Sequence, residues 1–183
     1  SYFDLLDFDG DGHMDVLLTT GDNGDYTPIR KRYHGIRIYL NDGRDRFTER
    51  FFFPMNGAFK AIADDFDGDG DLDIAAIAMF PDYGDRPEEG FVYLENVGDL
   101  VFRASTIPEV SAGRWMVMDS GDLDGDGDVD LVLGSFAQLT VGVPDEMIED
   151  WRNRRLPVLF LANQSTAPSS DHRSSASAAR RPE

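Results

Sequence analysis

The sequence predicts an all-β protein built from repeated four-stranded antiparallel meanders. An acidic nonapeptide occurs three times at a nearly constant spacing, and short apolar runs flank each copy in the same order. The runs are four to six residues long, rich in β-branched and aromatic types, and bounded by Gly, Asp and Asn, a composition typical of strands. No helical period of apolar residues continues beyond one segment.

The three nonapeptides read DFDGDGHMD at 7–15, DFDGDGDLD at 65–73 and DLDGDGDVD at 122–130. Their first residues are 58 and then 57 positions apart, and they hold more than a third of the 35 acidic residues. We call them the first, middle and third acidic loops.

Each acidic loop lies between apolar runs that we interpret as strands. In the first repeat these runs cover 2–6, 16–18 and 36–40, with a fourth around Phe47. The second repeat follows the same order, with its fourth run around Phe102. The third lacks a fourth run. In every repeat the third run ends in asparagine, at Asn41, Asn96 and Asn163.

Two segments depart from this pattern. Residues 144–155, PDEMIEDWRNRR, have proline and acids at the front and arginine at the back, which predicts a short helical insertion. From Ser165 the chain is rich in Ser, Ala, Pro and Arg and has almost no large apolar residue, which predicts a disordered tail or linker over 165–183. The expected repeat units are therefore 1–50, which begins within its first strand, 51–106, and 107–164, which lacks its fourth strand.

Composition excludes several classes of function. The 183 residues include no cysteine, which excludes disulfides, thiolate zinc sites and a cysteine nucleophile. A formal net charge of −18 repels a phosphate backbone and argues against nucleic-acid binding. No apolar run approaches the roughly 20 residues of a membrane helix, so no membrane insertion is expected.

The chemistry of the acidic loops points to a divalent cation. Each loop places carboxylates at positions 1, 3, 5 and 9, and glycines at 4 and 6 allow a tight turn. Two like charges about 4 Å apart repel by about 4 kcal/mol at an effective dielectric of 20, so a hard cation is needed, and Ca²⁺ tolerates irregular oxygen geometry better than Mg²⁺. Positions 2 and 8 are always apolar and are expected to pin the loop onto the sheet. Position 7 varies, which suits a backbone carbonyl ligand.

Two other interpretations of these loops do not fit the sequence. Hydrophilic turns do not explain three copies at one spacing with apolar residues fixed at positions 2 and 8. An EF-hand also begins D-x-D-x-D-G, but it needs flanking helices and a bidentate glutamate at position 12. That position holds Leu18, Ala76 and Leu133, all inside predicted strands, so the EF-hand is rejected.

The pattern D-h-D-G-D-G-x-h-D (h, apolar) between two strands, repeated near 60 residues, resembles the FG-GAP or VCBS repeat of integrin α-subunits and many bacterial secreted proteins. The segments ADDFDGDGDLDIAAIA, SGDLDGDGDVDLVLG and IYLNDGRDRFTE carry the resemblance, which covers residues 1 to about 164. It implies one β-propeller blade per repeat, so about three blades of a seven-bladed propeller completed by the remaining blades. The integrin Phe-Gly…Gly-Ala-Pro signature is missing, which favours the bacterial VCBS-like type.

The resemblance also implies three Ca²⁺ ions, one in each loop between strands one and two of a blade. The backbone carbonyls of His13, Asp71 and Asp128 are expected to contribute, with the His13 imidazole exposed and not a ligand. The side-chain ligands carried over are Asp7, Asp9, Asp11 and Asp15; Asp65, Asp67, Asp69 and Asp73; and Asp122, Asp124, Asp126 and Asp130.

Three long segments, 21–35, 80–90 and 135–156, join strands two and three at the end opposite the acidic loops. They carry basic residues and four aromatic residues expected to form a ligand face for protein or glycan: Tyr26, Tyr33, Tyr83 and Trp151. The alternative is that these aromatics pack each insertion against its own blade.

These observations favour an extracellular binding or adhesion scaffold with structural calcium, and not an enzyme. Secretion, periplasm or cell surface is expected because extracellular modules bind calcium with dissociation constants near 10⁻⁴–10⁻³ M. The alternative is part of a propeller-containing secreted enzyme such as a polysaccharide lyase or hydrolase, although no nucleophile elbow, zinc motif or phosphate loop is present. A third interpretation is a scaffold that only spaces other domains.

Overall fold

A computed structural model describes residues 1–21, 29 and 31–165 of the chain. This part forms three antiparallel β-sheets with little helix, as the sequence predicts. The strands of the first sheet are β1 Tyr2–Leu6, β2 Asp15–Thr20, β3 Gly35–Asn41 and β4 Phe47–Pro54; those of the second are β5 Ala58–Asp64, β6 Asp73–Ala78, β7 Phe91–Asn96 and β8 Phe102–Ser105; those of the third are β9 Trp115–Gly121, β10 Asp130–Ser135 and β11 Val158–Leu161.

Each sheet is a meander in which consecutive strands pair with one another. The orders are β1-β2-β3-β4, β5-β6-β7-β8 and β9-β10-β11, so the third sheet has three strands in the described part of the chain. Strand β4 continues to Pro54, so the first sheet extends past residue 50, where the sequence placed its boundary.

The helical insertion is also confirmed. Helix α1 spans Asp145–Arg154, with two acids in its first turn and two arginines in its last, an order that suits the helix dipole. The sequence did not predict two short 3-10 helices at Pro87–Gly90 and Val110–Ala112. None of the helices in the described residues is long and apolar enough to cross a membrane.

The sheets stack face to face, and the second is the middle layer. Strand β6 is buried along its whole length because its two faces meet different neighbours. Ile74 and Ala76 join a core with the first sheet, whereas Ala75 and Ile77 join a core with the third. A strand buried on both sides is a near-continuous apolar run, as this one is.

Side-chain contacts also link neighbouring sheets. Thr19 Oγ1 donates to the Phe59 carbonyl at 2.8 Å, joining β2 to β5. Lys60 Nζ donates to the Met118 carbonyl at 2.6 Å, joining β5 to β9.

The meander fixes the two ends of each sheet. The acidic loops join the first and second strands at one end, whereas the long segments join the second and third strands at the other. At about 3.4 Å per residue, the six residues of β10 separate these ends by about 20 Å.

Candidate metal sites

The first aspartate of each acidic loop folds the loop around its own carboxylate. Asp7 Oδ1 accepts the Gly10 N–H and Oδ2 accepts the Gly12 N–H, both at 2.9 Å. Gly10 and Gly12 have φ values of 72° and 86°, in the left-handed region that a side chain would strain. Asp65 repeats both bonds with Gly68 and Gly70 at 2.9 and 3.0 Å. In the third loop the Gly125 N–H donates to Asp122 Oδ1 at 2.7 Å.

The last aspartate of the first and third loops begins a strand and is buried. Asp15 Oδ2 accepts the Phe8 N–H at 2.9 Å, and its Oδ1 accepts the Asn41 N–H at 2.8 Å. Asp130 makes the same two bonds, with the N–H groups of Leu123 and Asn163, both at 2.8 Å. These backbone donors hold the pKa of Asp130 below its usual range.

The middle loop departs from this arrangement. Asp73 is fully buried and its Oδ1 accepts the Asn96 N–H at 2.7 Å, but its Oδ2 accepts the Tyr93 hydroxyl at 2.6 Å. Burial raises the pKa of Asp73, and the hydrogen bonds from Tyr93 and Asn96 oppose that rise.

An asparagine at or just beyond the end of each third strand clamps the acidic loop to the neighbouring turn. The Nδ2 groups of Asn41, Asn96 and Asn163 donate to the position-8 carbonyls at 3.1, 3.3 and 3.2 Å. Their Oδ1 atoms accept N–H groups of the turn that follows, at 3.1, 3.2 and 3.0 Å. Sequence reasoning noted the asparagine in every repeat but gave it no role.

Each loop gathers three carboxylates that could hold a metal ion. In each group the ligand oxygens lie within 4.8 Å of one another. Among the described residues the groups are Asp7, Asp9 and Asp15; Asp65, Asp67 and Asp69; and Asp122, Asp124 and Asp130. A site made only of carboxylate oxygens suits a hard cation.

One carboxylate of each expected set lies outside its group. Asp11 and Asp126 each accept a backbone N–H from two residues ahead, at 2.8 and 3.1 Å. In the middle loop Asp73 is the outlying member, with its oxygens bonded to Tyr93 and Asn96, and Asp69 takes the third place. Asp69 does so although it also accepts a backbone N–H from two residues ahead, at 2.9 Å.

The position-7 side chains differ in their surroundings, since His13 lies against a neighbouring turn whereas Asp128 lies beside the carboxylates of its own loop. A Cβ atom added to Gly43 would collide with the His13 imidazole, which therefore lies against the β3–β4 turn. Burial, followed by the neighbouring Asp126 carboxylate, raises the pKa of Asp128 to about 6.

The apolar residue at position 2 of each loop faces the next sheet along the chain. Phe8 joins the core between the first and second sheets, and Phe66 joins the core between the second and third. Leu123 is 51% exposed, so the expectation that it pins the loop is wrong. The reason is that no sheet follows the third one in the described part of the chain.

The apolar residue at position 8 faces the preceding sheet. Leu72 packs into the core with the first sheet, and Val129 into the core with the second. Met14 is 56% exposed, contrary to expectation, because no sheet precedes the first one among the described residues.

The expected ligand face is wrong for Tyr83 and Trp151, which are 4% and 2% exposed. Their ring centroids are 5.6 Å apart in an edge-to-face arrangement, so the insertions of the second and third sheets pack against each other. Trp151 Nε1 also donates to the Ser111 carbonyl at 2.8 Å. Tyr33 is exposed, and Tyr26 lies outside the described residues.

Sequence reasoning missed Arg114, which is fully buried beside this aromatic pair. Its guanidinium carbon lies 5.4 Å from the ring centroids of both Phe80 and Tyr83. Nη2 donates to the Val141 carbonyl at 2.8 Å, and burial lowers the pKa of the guanidinium. An isolated arginine in a Gly-Arg-Trp segment gives no pattern that predicts burial.

Together the fold and the loops define a repeat protein of stacked antiparallel sheets, each with an acidic loop after its first strand. The family model described as FG-GAP-like repeat matches residues 7–76 and again 65–133, so the chain belongs to this family. Comparison with curated proteins finds no match.

Proposed function

We propose that this chain is a calcium-binding part of a β-propeller that serves as an extracellular binding scaffold. The observation that carries the proposal is the gathering of three carboxylates in each acidic loop, with ligand oxygens within 4.8 Å, in a protein of formal net charge −18. Three divalent ions would cancel a third of that charge.

The donor set favours calcium over other cations. Histidine and cysteine are missing from all three groups, so transition metals that prefer nitrogen or sulfur are disfavoured. Six to eight oxygen ligands at irregular angles suit Ca²⁺, whereas Mg²⁺ demands a near-ideal octahedron. The three grouped carboxylates of each loop would hold the ion, and the carbonyls of His13, Asp71 and Asp128 would complete its shell.

Calcium has a structural role in this proposal. Each ion would neutralise a loop that spans the first two strands of a sheet and is tied to the third strand by an asparagine. Binding to the folded state alone stabilises it by about 2.7 kcal/mol per site at 100 times Kd.

The direction of the loop side chains supports a continuing ring of sheets. Position 2 faces the following sheet and position 8 the preceding one wherever such a sheet exists. Leu123 and Met14 therefore mark the two places where further sheets would pack.

The outer faces of the end sheets support the same conclusion. Phe3 on β1 is 63% exposed and Phe160 on β11 is 65% exposed, and each alternates with residues that pack toward the middle sheet. Exposed aromatic side chains in strands favour burial against another sheet. Propellers close with four to eight blades, and we propose seven from the resemblance.

The ligand of the scaffold would bind at the long segments, opposite the calcium. Loops held by a rigid scaffold commonly carry binding residues. A calcium requirement in the millimolar range would place the protein outside the cytosol, in a secreted, periplasmic or cell-surface location. We propose no catalytic role.

The test is Asp67→Ala, which removes one grouped carboxylate from the middle loop. We expect bound calcium to fall from three ions to two and the calcium-dependent rise in Tm to shrink. Glu149→Ala, which removes one charge from exposed helix α1, is the matched control and should change neither. Unchanged stoichiometry and Tm in Asp67→Ala would reject the proposal.

A further inference from the structure

A cavity of about 540 Å³ lies at the end of the third sheet opposite its acidic loop. Its walls come from the segment after β10 and from the end of α1, and they include Ser135, Phe136, Gln138, Thr140, Arg152 and Arg155. Small-molecule sites typically measure about 300–1,000 Å³, so the cavity is large enough for a ligand.

The two cavity arginines are free of ion pairs within the described residues. Arg154 lies in the same helical turn but binds Asp150, with Nε 2.6 Å from Oδ2. Arg152 and Arg155 are exposed and have no such partner in the described part of the chain. The cavity therefore presents two positive charges that the protein leaves unneutralised.

The backbone at Arg155 adopts a conformation that arginine rarely takes. Its φ and ψ are 50° and 44°, the left-handed region, and its N–H donates to the Trp151 carbonyl at 3.0 Å to end α1. Glycine and asparagine are the usual residues at this position. The cap fixes the position of the Arg155 backbone at the edge of the cavity.

The cavity walls are held in place by the buried interior. Arg114 fixes the segment after β10 at both ends, since its carbonyl accepts the Phe136 N–H and its Nη2 donates to the Val141 carbonyl, both at 2.8 Å. The Ser135 N–H donates to the Pro157 carbonyl at 2.8 Å and ties the two walls together. A preformed site avoids the entropy cost of ordering its walls on binding.

The other cavity residues suit a sugar. The Gln138 amide and the Thr140 hydroxyl can both donate and accept hydrogen bonds, as ligand hydroxyls require. Phe136 is 49% exposed and offers an apolar ring face.

We infer that this cavity binds an acidic saccharide, with the carboxylate of a uronate residue on Arg152 and Arg155. Guanidinium groups bind carboxylates through paired, charge-assisted hydrogen bonds. The acidic loop of this sheet lies about 20 Å away along β10, more than twice the screening length of about 8 Å at physiological salt. The inference names the class of ligand that the proposed scaffold binds. It rests on the proposed binding role and not on the proposed calcium sites.

Calorimetry on the full chain with calcium tests the inference, using a galacturonate trisaccharide and a neutral galactose trisaccharide as probes. We expect the uronate to bind and the neutral sugar to bind at least about tenfold more weakly, the loss expected for charge-assisted hydrogen bonds. Arg152→Gln and Arg155→Asn should each weaken uronate binding by about tenfold or more. Arg154→Gln, the matched control, should not change it.

Arg155→Asn keeps the fold testable because asparagine tolerates the left-handed conformation, so its Tm should stay at or above that of the parent. Equal affinity for the neutral sugar, no uronate binding, or an equal loss in Arg154→Gln would overturn the inference. Tighter binding of a glutamate-rich peptide at the same arginines would also overturn it in favour of a protein ligand. Three bound calcium ions without uronate binding would reject this inference and leave the calcium proposal standing.

Discussion

The Tyr93 hydroxyl donates a hydrogen bond to Oδ2 of Asp73 at 2.6 Å. In the other two acidic loops the corresponding oxygen accepts a backbone N–H, from Phe8 or Leu123. The middle loop therefore depends on a side chain where the others depend on the backbone. The carboxylate group of the middle loop also differs, because it contains Asp69 where the other two groups contain the last aspartate of the loop.

Replacing this tyrosine should make the protein more dependent on calcium. Tyr93→Phe leaves a buried carboxylate short of one donor, which costs the chelated protein about 1–3 kcal/mol. Calcium held by the neighbouring Asp65, Asp67 and Asp69 would place positive charge near Asp73 and recover part of that loss, so the rise in Tm on adding calcium should exceed that of the parent. Tyr39→Phe, which removes an exposed hydroxyl bonded to Glu49, is the control and should behave like the parent. An equal calcium shift in Tyr93→Phe would contradict this account.

The asparagine clamp should be sensitive to a nearly isosteric change. Asn96→Asp replaces the Nδ2 donor with an acceptor facing the Leu72 carbonyl and adds a charge near Asp73. We expect a loss of about 1–3 kcal/mol in the free energy of unfolding, measured by urea denaturation. Asn153→Asp on exposed helix α1 should change it by less than about 0.5 kcal/mol. Similar values for the two variants would refute a role for the clamp.

Calcium-free protein should lose stability through the third acidic loop as pH rises. Because the pKa of Asp128 is raised to about 6, the folded state holds this proton more tightly than the unfolded state does. The stabilisation that the bound proton on Asp128 gives the folded state is complete below the ordinary aspartate pKa of about 3.8. It is lost as pH rises through about 6. The stability of the parent relative to Asp128→Asn should therefore fall between about pH 4 and pH 7 in chelator. A stability difference between the parent and Asp128→Asn that is constant or rises with pH would contradict this prediction.

The buried aromatic pair should behave as core. Trp151→Ala should cost about 3–5 kcal/mol of stability. Tyr83→Phe should cost no more than about 1.5 kcal/mol, because it keeps the ring against Trp151 and removes only a hydroxyl beside the Arg114 guanidinium. Urea denaturation of both variants checks this, and a neutral Trp151→Ala would show that the insertions do not pack as described.

The strands and the acidic loops followed from local sequence patterns. Strand β6 could be predicted because a short apolar run between turn residues is typical of a buried strand. The three acidic loops could be predicted because their spacing repeats. The burial of Tyr83 and Trp151 could not be identified in this way, because it depends on two insertions from different sheets meeting each other. The same holds for Arg114, whose neighbours come from both insertions.

The roles of single residues within the loops also depend on their surroundings. Leu123 has the same loop position as Phe8 but is exposed, because burial there requires a following sheet. In the middle repeat alone, the Tyr93 hydroxyl donates the hydrogen bond that a backbone N–H donates in the other two. This role could not be predicted, because it does not recur from repeat to repeat. By contrast, the asparagines recur in every repeat, and their role could have been inferred from that recurrence.

The most direct test of the account is calorimetric titration of the chelator-treated protein with calcium. The three carboxylate groups predict about three bound ions, with heat released or absorbed at each site and a Tm that rises with occupancy. Magnesium at the same concentration should raise the Tm less. Binding of no calcium, or of a single ion with no change in Tm, would contradict the assignment of all three loops as structural calcium sites.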